Sequence, residues 1–145
     1  MTNVRDIMTT DVETCSLLDT VEEVAVKMKE ENVGVIPIVD NDKLAGVVTD
    51  RDIVLRCIAE NYPTSAKVEE IMSDERLITV SADTTTNEAA RIMAKHQIRR
   101  LPVVENGKLE GIVALGDLAV RDLTDSQAKE ALSEISEKNP SEIQH

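Results

Sequence analysis

The sequence predicts a mixed α/β (α+β) fold built from two β-α-β-β-α repeats. Three observations predict it. Gly46-Val47-Val48-Thr49-Asp50-Arg51-Asp52 returns as Gly111-Ile112-Val113-Ala114-Leu115-Gly116-Asp117, at an offset of 65 residues. Each copy follows an apolar run with a proline inside it, Val35-Ile36-Pro37-Ile38-Val39 and Arg100-Leu101-Pro102-Val103-Val104. Each of those runs follows a helical stripe that opens on a threonine.

The elements follow in order. Val4-Arg5-Asp6-Ile7-Met8-Thr9 reads as a short apolar turn and matches Val68-Glu69-Glu70-Ile71-Met72-Ser73 at an offset of 64. Short strands are expected over 12–16 and 78–81. Thr20 with Glu23, and Thr85 with Glu88, have the spacing of a capping box. Behind them Val21, Val24, Ala25 and Met28, and Ala89, Ile92 and Met93, recur at helical spacing as core stripes. Proline lacks a ladder donor, so Pro37 and Pro102 belong at an edge, a bulge or a first paired residue. Asp40-Asn41-Asp42-Lys43 and Glu105-Asn106-Gly107-Lys108 read as hairpin turns leading into strands 44–48 and 109–113. A second helix then runs through Ile53, Val54 and Ile58, and through Leu118 and Leu123 in the other copy. The repeats are expected over 1–61 and 62–124. Residues 125–145 form an acidic tail, partly helical, with Ala128, Ala131, Leu132 and Ile135 at helical spacing.

Composition excludes several functions. The net charge of −12 repels phosphate backbones, and Tyr62 is the only aromatic residue on which a base could stack, so nucleic acid is not an expected partner. No apolar run approaches the about 18 residues that cross a membrane, and the N-terminus lacks a signal-peptide core, so the chain reads as cytoplasmic. Cys15 and Cys57 read as reduced thiols, with a redox-switchable pair as the alternative. With His96 and His145 the only histidines, no metal-ligand spacing appears. Nor does any catalytic constellation or Gly-rich phosphate loop.

The paired Gly-x-x-Thr-x-x-Asp type motif, the two proline-containing strands and the repeated helix order make residues 1–124 resemble a tandem pair of cystathionine-beta-synthase (CBS) domains. The likeness is to the small bacterial members of hypoxic-response type. The resemblance implies that the repeats pack as a pseudo-two-fold Bateman module, pair into a homodimer through their helices, and hold an adenosine-type ligand between them. AMP, ADP and ATP are the expected class, with S-adenosylmethionine and NAD as open alternatives; no cofactor is required.

Carried over residue by residue, the resemblance implies two unequal clefts. The first takes Thr49 and Asp52, with Arg51 nearby, and faces Thr79, Ile98, Arg99, Arg100, Leu101 and Pro102. The Asp would accept from ribose hydroxyls, the Thr would reach ribose or phosphate, and the arginines suit phosphate. An exposed arginine pair solvating a strand start is the alternative. The second takes Asp117 and faces Thr14, Gly34, Val35, Ile36 and Pro37, but Ala114 stands where the hydroxyl should be. Asp117 is equally readable as a plain helix cap.

The leading expectation is a non-catalytic regulatory module that senses adenine nucleotides and signals to a separate, unknown effector protein. The alternative is a dimeric interaction or stress-response scaffold with vestigial clefts.

Overall fold

The computed structural model describes residues 2–72 and 77–121. The chain divides into two compact units, Glu13–Leu77 and a second made of Met1–Val12 with Ile78–His145. This spatial division differs from the division into sequence repeats. The segment that leads each repeat packs onto the body of the other one.

In the unit Glu13–Leu77, β1 (Cys15–Ser16) lies parallel to β2 (Val35–Asp40), which pairs antiparallel with β3 (Lys43–Thr49). The β2–β3 loop has two residues, Asn41 and Asp42, at φ 51° and 66°. Both are left-handed, as the twist-matched two-residue hairpin requires, and Asn and Asp tolerate it best after glycine. The ladder then shifts register between Ile38 and Val39.

Helix α1 (Val21–Glu31) starts with the expected box: Glu23 N–H donates to Thr20 Oγ1 and Thr20 N–H to Glu23 Oε1, both at 3.1 Å. It ends on Asn32 at φ 55°, and Val33 N–H reaches back to the Met28 carbonyl at 3.0 Å. Val21, Val24 and Met28 bury the expected face against Ile36, Ile38 and Val48. A short 3-10 turn, Val68–Glu70, closes this unit: Val68 is fully buried, and its N–H donates to the Asp19 carbonyl at 2.8 Å.

The other unit repeats the plan. Helix α3 (Thr86–His96) precedes the hairpin β4 (Arg100–Glu105) and β5 (Lys108–Ala114), whose loop residues Asn106 and Gly107 have φ 53° and 82°. Its cap is half of the expected box. Glu88 N–H donates to Thr85 Oγ1 at 3.2 Å, but the Glu88 carboxylate turns to Arg91, at 2.7 Å. Ala89 and Met93 are buried and Ile92 packs at the core's edge.

Here the closing 3-10 turn comes from the start of the chain, Val4–Asp6. Val4 is fully buried, its N–H donates to the Thr84 carbonyl at 2.8 Å, and Arg5 forms an ion pair with Asp83. Thr9 and Ile112 exchange two backbone bonds of 2.8 and 2.9 Å. That approach explains Gly111: a Cβ there would lie 2.6 Å from the Thr9 carbonyl oxygen.

Three expectations are corrected. The first strand of each repeat is shorter than 12–16 and 78–81. It shrinks to Cys15–Ser16 in one copy and to a single bridge, Val80 with Val103, in the other. Pro37 sits at the third position of a six-residue strand that has a neighbour on both sides, not at an edge, whereas Pro102 lies in β4, an edge strand, as expected. They are tolerated because the neighbour on the other side asks little of them. The β1 pairing begins only at Ile38, and Pro102 offers its carbonyl to Val80 N–H at 3.1 Å.

The third correction is the second helix of the first repeat. It begins as α2 (Asp50–Asp52) and continues as a π turn, Ile53–Ile58. Val54 and Ile58, through which that helix was expected to run, are 56% and 55% exposed, whereas Cys57 is fully buried. In the other repeat α4 (Leu115–Arg121) buries Leu115 and Leu118 as a regular helix. Leu123 and the acidic tail of 125–145 lie outside the described residues. No helix among the described residues is long and apolar enough to cross a membrane.

Candidate functional site

Strand β3 ends, and α2 begins, at the repeated motif. Thr49 is extended, at φ −108° and ψ 162°, and caps the turn that follows. Asp52 N–H donates to Thr49 Oγ1 at 3.0 Å, and Thr49 N–H donates to Asp52 Oδ2 at 2.9 Å. Each side chain satisfies the other's backbone, so both are fixed in place. The Thr49 hydroxyl keeps its own hydrogen to donate outward. Asp52 Oδ1 lies 3.9 Å from Arg56 Nε, a loose pair in which the Arg56 side chain is half exposed. Arg51, between the two capping residues, is exposed.

The backbone beside this turn is equally fixed. Asp50 N–H donates to the Gly34 carbonyl at 3.0 Å, and Thr49 pairs in register with Val35. Ile36 and Pro37 are buried. Thr14 is half-buried, and its carbonyl accepts from Lys27 Nζ at 3.0 Å, with Glu13 Oε2 3.6 Å from the same ammonium. Within this unit, then, Thr49, Arg51 and Asp52 stand together at the strand-to-helix turn, and Val35 lies beside Thr49.

The second copy makes the same bend with fewer groups. Ala114 supplies no hydroxyl, and Asp117 Oδ2 accepts from Ala114 N–H at a long 3.4 Å. Leu115 N–H donates to the Arg99 carbonyl at 2.8 Å, and Arg100 pairs in register with Ala114. Leu101 and Pro102 are buried, Ile98 and Arg100 are half-buried, and Thr79 is exposed. Arg99 and Arg100 thus begin the strand that lies beside the Ala114–Asp117 turn of their own unit.

The sequence reading missed two charged residues of this unit, Arg56 at the first motif and Lys27 at Thr14. Arg56 follows Asp52 by four residues, the helical spacing of an ion pair, and was legible on that ground. Lys27 lies off the apolar stripe of α1, and nothing in the sequence says that its stem bends back to a carbonyl 13 residues earlier.

The thiols are core groups. Burial pushes the Cys15 thiol up, opposed by the nearby Lys27 ammonium, which keeps it protonated and slow to react. Cys57 Sγ is 3.5 Å from the Tyr62 carbonyl and 3.8 Å from that of Pro63. Among the described residues no group of three His, Cys, Asp or Glu side chains could hold a metal ion.

Comparison with known proteins places this geometry. The family model described as "CBS domain" matches twice, over residues 4–58 and 68–123. An uncharacterized protein of Bacillus subtilis, YlbB, is 50% identical over 139 residues, covering 94% of this chain and 93% of that one. Hypoxic response protein 1 of Mycobacterium tuberculosis is 37% identical over 121 residues, covering 82% and 84%. Among solved structures, CBSX2 in complex with AMP has a TM-score of 0.74 at 28% identity, covering 85% of this chain and 97% of that one. The CBS domain pair of MJ0100, in complex with 5'-methylthioadenosine and S-adenosyl-L-methionine, has a TM-score of 0.73 at 31% identity, covering 83% and 98%.

Proposed function

The chain belongs to the CBS domain family, and from that premise we propose that it is a non-catalytic regulatory module that binds an adenine nucleotide and signals to a separate protein. The ligand class is AMP, ADP or ATP, the role is energy sensing in the cytoplasm, and the working form is a homodimer. Similar CBS pairs carry AMP, 5'-methylthioadenosine or S-adenosyl-L-methionine, all built on adenosine.

The observation that carries the reading is the Thr49–Asp52 turn. Its carboxylate and hydroxyl are held rigid by each other's backbone, which lowers the cost of ordering them around a ribose. Arg51 and Arg56 beside it favour an anion over the positively charged sulfonium of S-adenosylmethionine. By the family resemblance we also assign nucleotide contacts to Thr79, Ile98, Arg99, Arg100, Leu101 and Pro102. By the same resemblance we assign weaker ligand contacts to Thr14, Val35, Ile36, Pro37 and Asp117.

Calorimetric titration tests this. AMP should bind with micromolar affinity at about one site per chain, and Asp52→Asn should weaken it at least about tenfold. Two equal sites, or full affinity in the variant, would refute the assignment.

A second reading keeps one specific support. Leu55, Ile58 and Val54 are 48–56% exposed on one short helix, a face suited to protein association. If no adenine nucleotide binds, an interaction scaffold with vestigial clefts becomes the better account.

A further inference from the structure

The π turn after Asp52 holds a helix in one of two registers that its sequence allows. Ala59 N–H bonds the Val54 carbonyl, and Tyr62 N–H the Cys57 carbonyl, each across five residues and at 2.9 Å. An ordinary α-helix closes across four. The extra residue per closure lets Cys57 reach the core while Val54, Leu55 and Ile58 stay outside. Yet Ile53, Val54, Cys57 and Ile58 also stand at i, i+1, i+4 and i+5, the spacing of an α-helical apolar stripe. π turns of this kind are uncommon and concentrate at functional sites.

The junction between the registers is the ligand turn itself. Asp52 ends the α turn and begins the π turn, and its Oδ1 faces Arg56 from inside the π segment. That pair is loose, at 3.9 Å, with a half-exposed guanidinium. A phosphate beside Thr49 would compete for Arg56 as a charge-assisted partner.

We propose that residues 53–58 are a register switch, in which a phosphorylated ligand on the Thr49–Asp52 turn draws Arg56 toward the anion and converts the π turn to an α turn. This rests on the nucleotide reading above. Each residue advances less around the axis in a π turn than in an α turn, so the conversion swings Cys57 out of its place. It also re-aims Val54, Leu55 and Ile58. The occupied and empty states then differ in the apolar face they offer to a partner, and the signal needs no movement larger than one helical turn.

Cys15 provides an internal control, because it is buried in the same core but belongs to β1. The test is thiol labelling of the full chain under native conditions, resolved by peptide mass spectrometry, with and without saturating AMP. Each thiol is read against its own ligand-free rate, because burial already makes Cys15 slow to react. AMP should speed Cys57 at least about fivefold while Cys15 is unchanged or slowed. A Cys57 rate unchanged by AMP would overturn the switch, and so would slowing of both thiols by AMP, the effect of simple stabilisation. Calorimetry on the same sample separates the two failures. AMP bound without faster Cys57 labelling sinks the switch alone, whereas no binding sinks the nucleotide reading and the coupling with it.

Discussion

The turn at Thr49–Asp52 and the turn at Ala114–Asp117 are the same bend made with different parts. In both, an aspartate carboxylate accepts the N–H of the residue three places earlier, at 2.9 Å in the first and 3.4 Å in the second. In both, the N–H after the strand's end reaches back to a carbonyl, Gly34 or Arg99. Only the first adds a hydroxyl that accepts from the helix. The bend therefore does not need the threonine. The aspartate alone shapes the backbone, and the hydroxyl is free to be kept or lost according to what the turn must hold.

The two compact units sharpen that comparison at its largest scale. Each is closed by a 3-10 turn from the other sequence repeat, with Val4 or Val68 fully buried at its centre. An aspartate in place of either valine leaves a charge among apolar neighbours, which exceeds about 4 kcal/mol. Val4→Asp should unfold the unit that contains α3 and leave the α1 unit protected, and Val68→Asp should do the reverse. Hydrogen exchange read separately over the two helices checks this. Loss of protection in both helices from either substitution would mean that the units do not fold as separate pieces.

Next in size is the ligand. If the first turn holds a nucleotide and the second does not, Asp52→Asn should cost at least about tenfold in AMP affinity, about 1.4 kcal/mol, and Asp117→Asn less than about threefold. Equal losses would make the two turns functionally equivalent despite the missing hydroxyl.

Much of this was legible in the sequence. The repeat, the hairpins, the capping threonines and the stripes through Met28 and Met93 all follow from local rules, because each depends on residues a few positions apart. Three features were not. The short first strands depend on pairing across the fold: Cys15 meets Ile38, and Val80 finds only Val103. The Glu88 carboxylate had two local partners of similar strength, the helix cap and Arg91, and it took Arg91. The π turn buries Cys57 instead of Val54 and Ile58, a choice between apolar residues that a pattern of hydrophobicity cannot make. At the site, the Thr49–Asp52 pair could be read from its spacing. Arg56 could have been read the same way, while Lys27 could not, because its partner is a backbone carbonyl set by the strand.

The hydroxyl itself can be exchanged between the turns. Thr49→Ala removes the acceptor for Asp52 N–H and should cost about 1 kcal/mol, the usual worth of a threonine cap. Ala114→Thr builds the same acceptor in the second turn and should return a similar or smaller amount. Chemical denaturation of the two variants measures both. Opposite signs support the view that the turns share one backbone, and a destabilising Ala114→Thr would show that the second bend has no room for the cap.

The smallest effect is expected at Gly34, and it isolates backbone from side chain. Its repeat partner is Arg99, so the same position carries no side chain in one copy and a long one in the other. Both residues do one shared thing, offering a carbonyl to the N–H that opens the helix. A Cβ on Gly34 would approach the Asp50 carboxylate no closer than 3.4 Å, an ordinary contact, and Gly34 does not have a positive φ. Gly34→Ala should therefore change stability by less than about 0.5 kcal/mol. A loss well beyond that would mean that the glycine is kept for the Asp50 side chain, and the two bends would then differ in more than a hydroxyl.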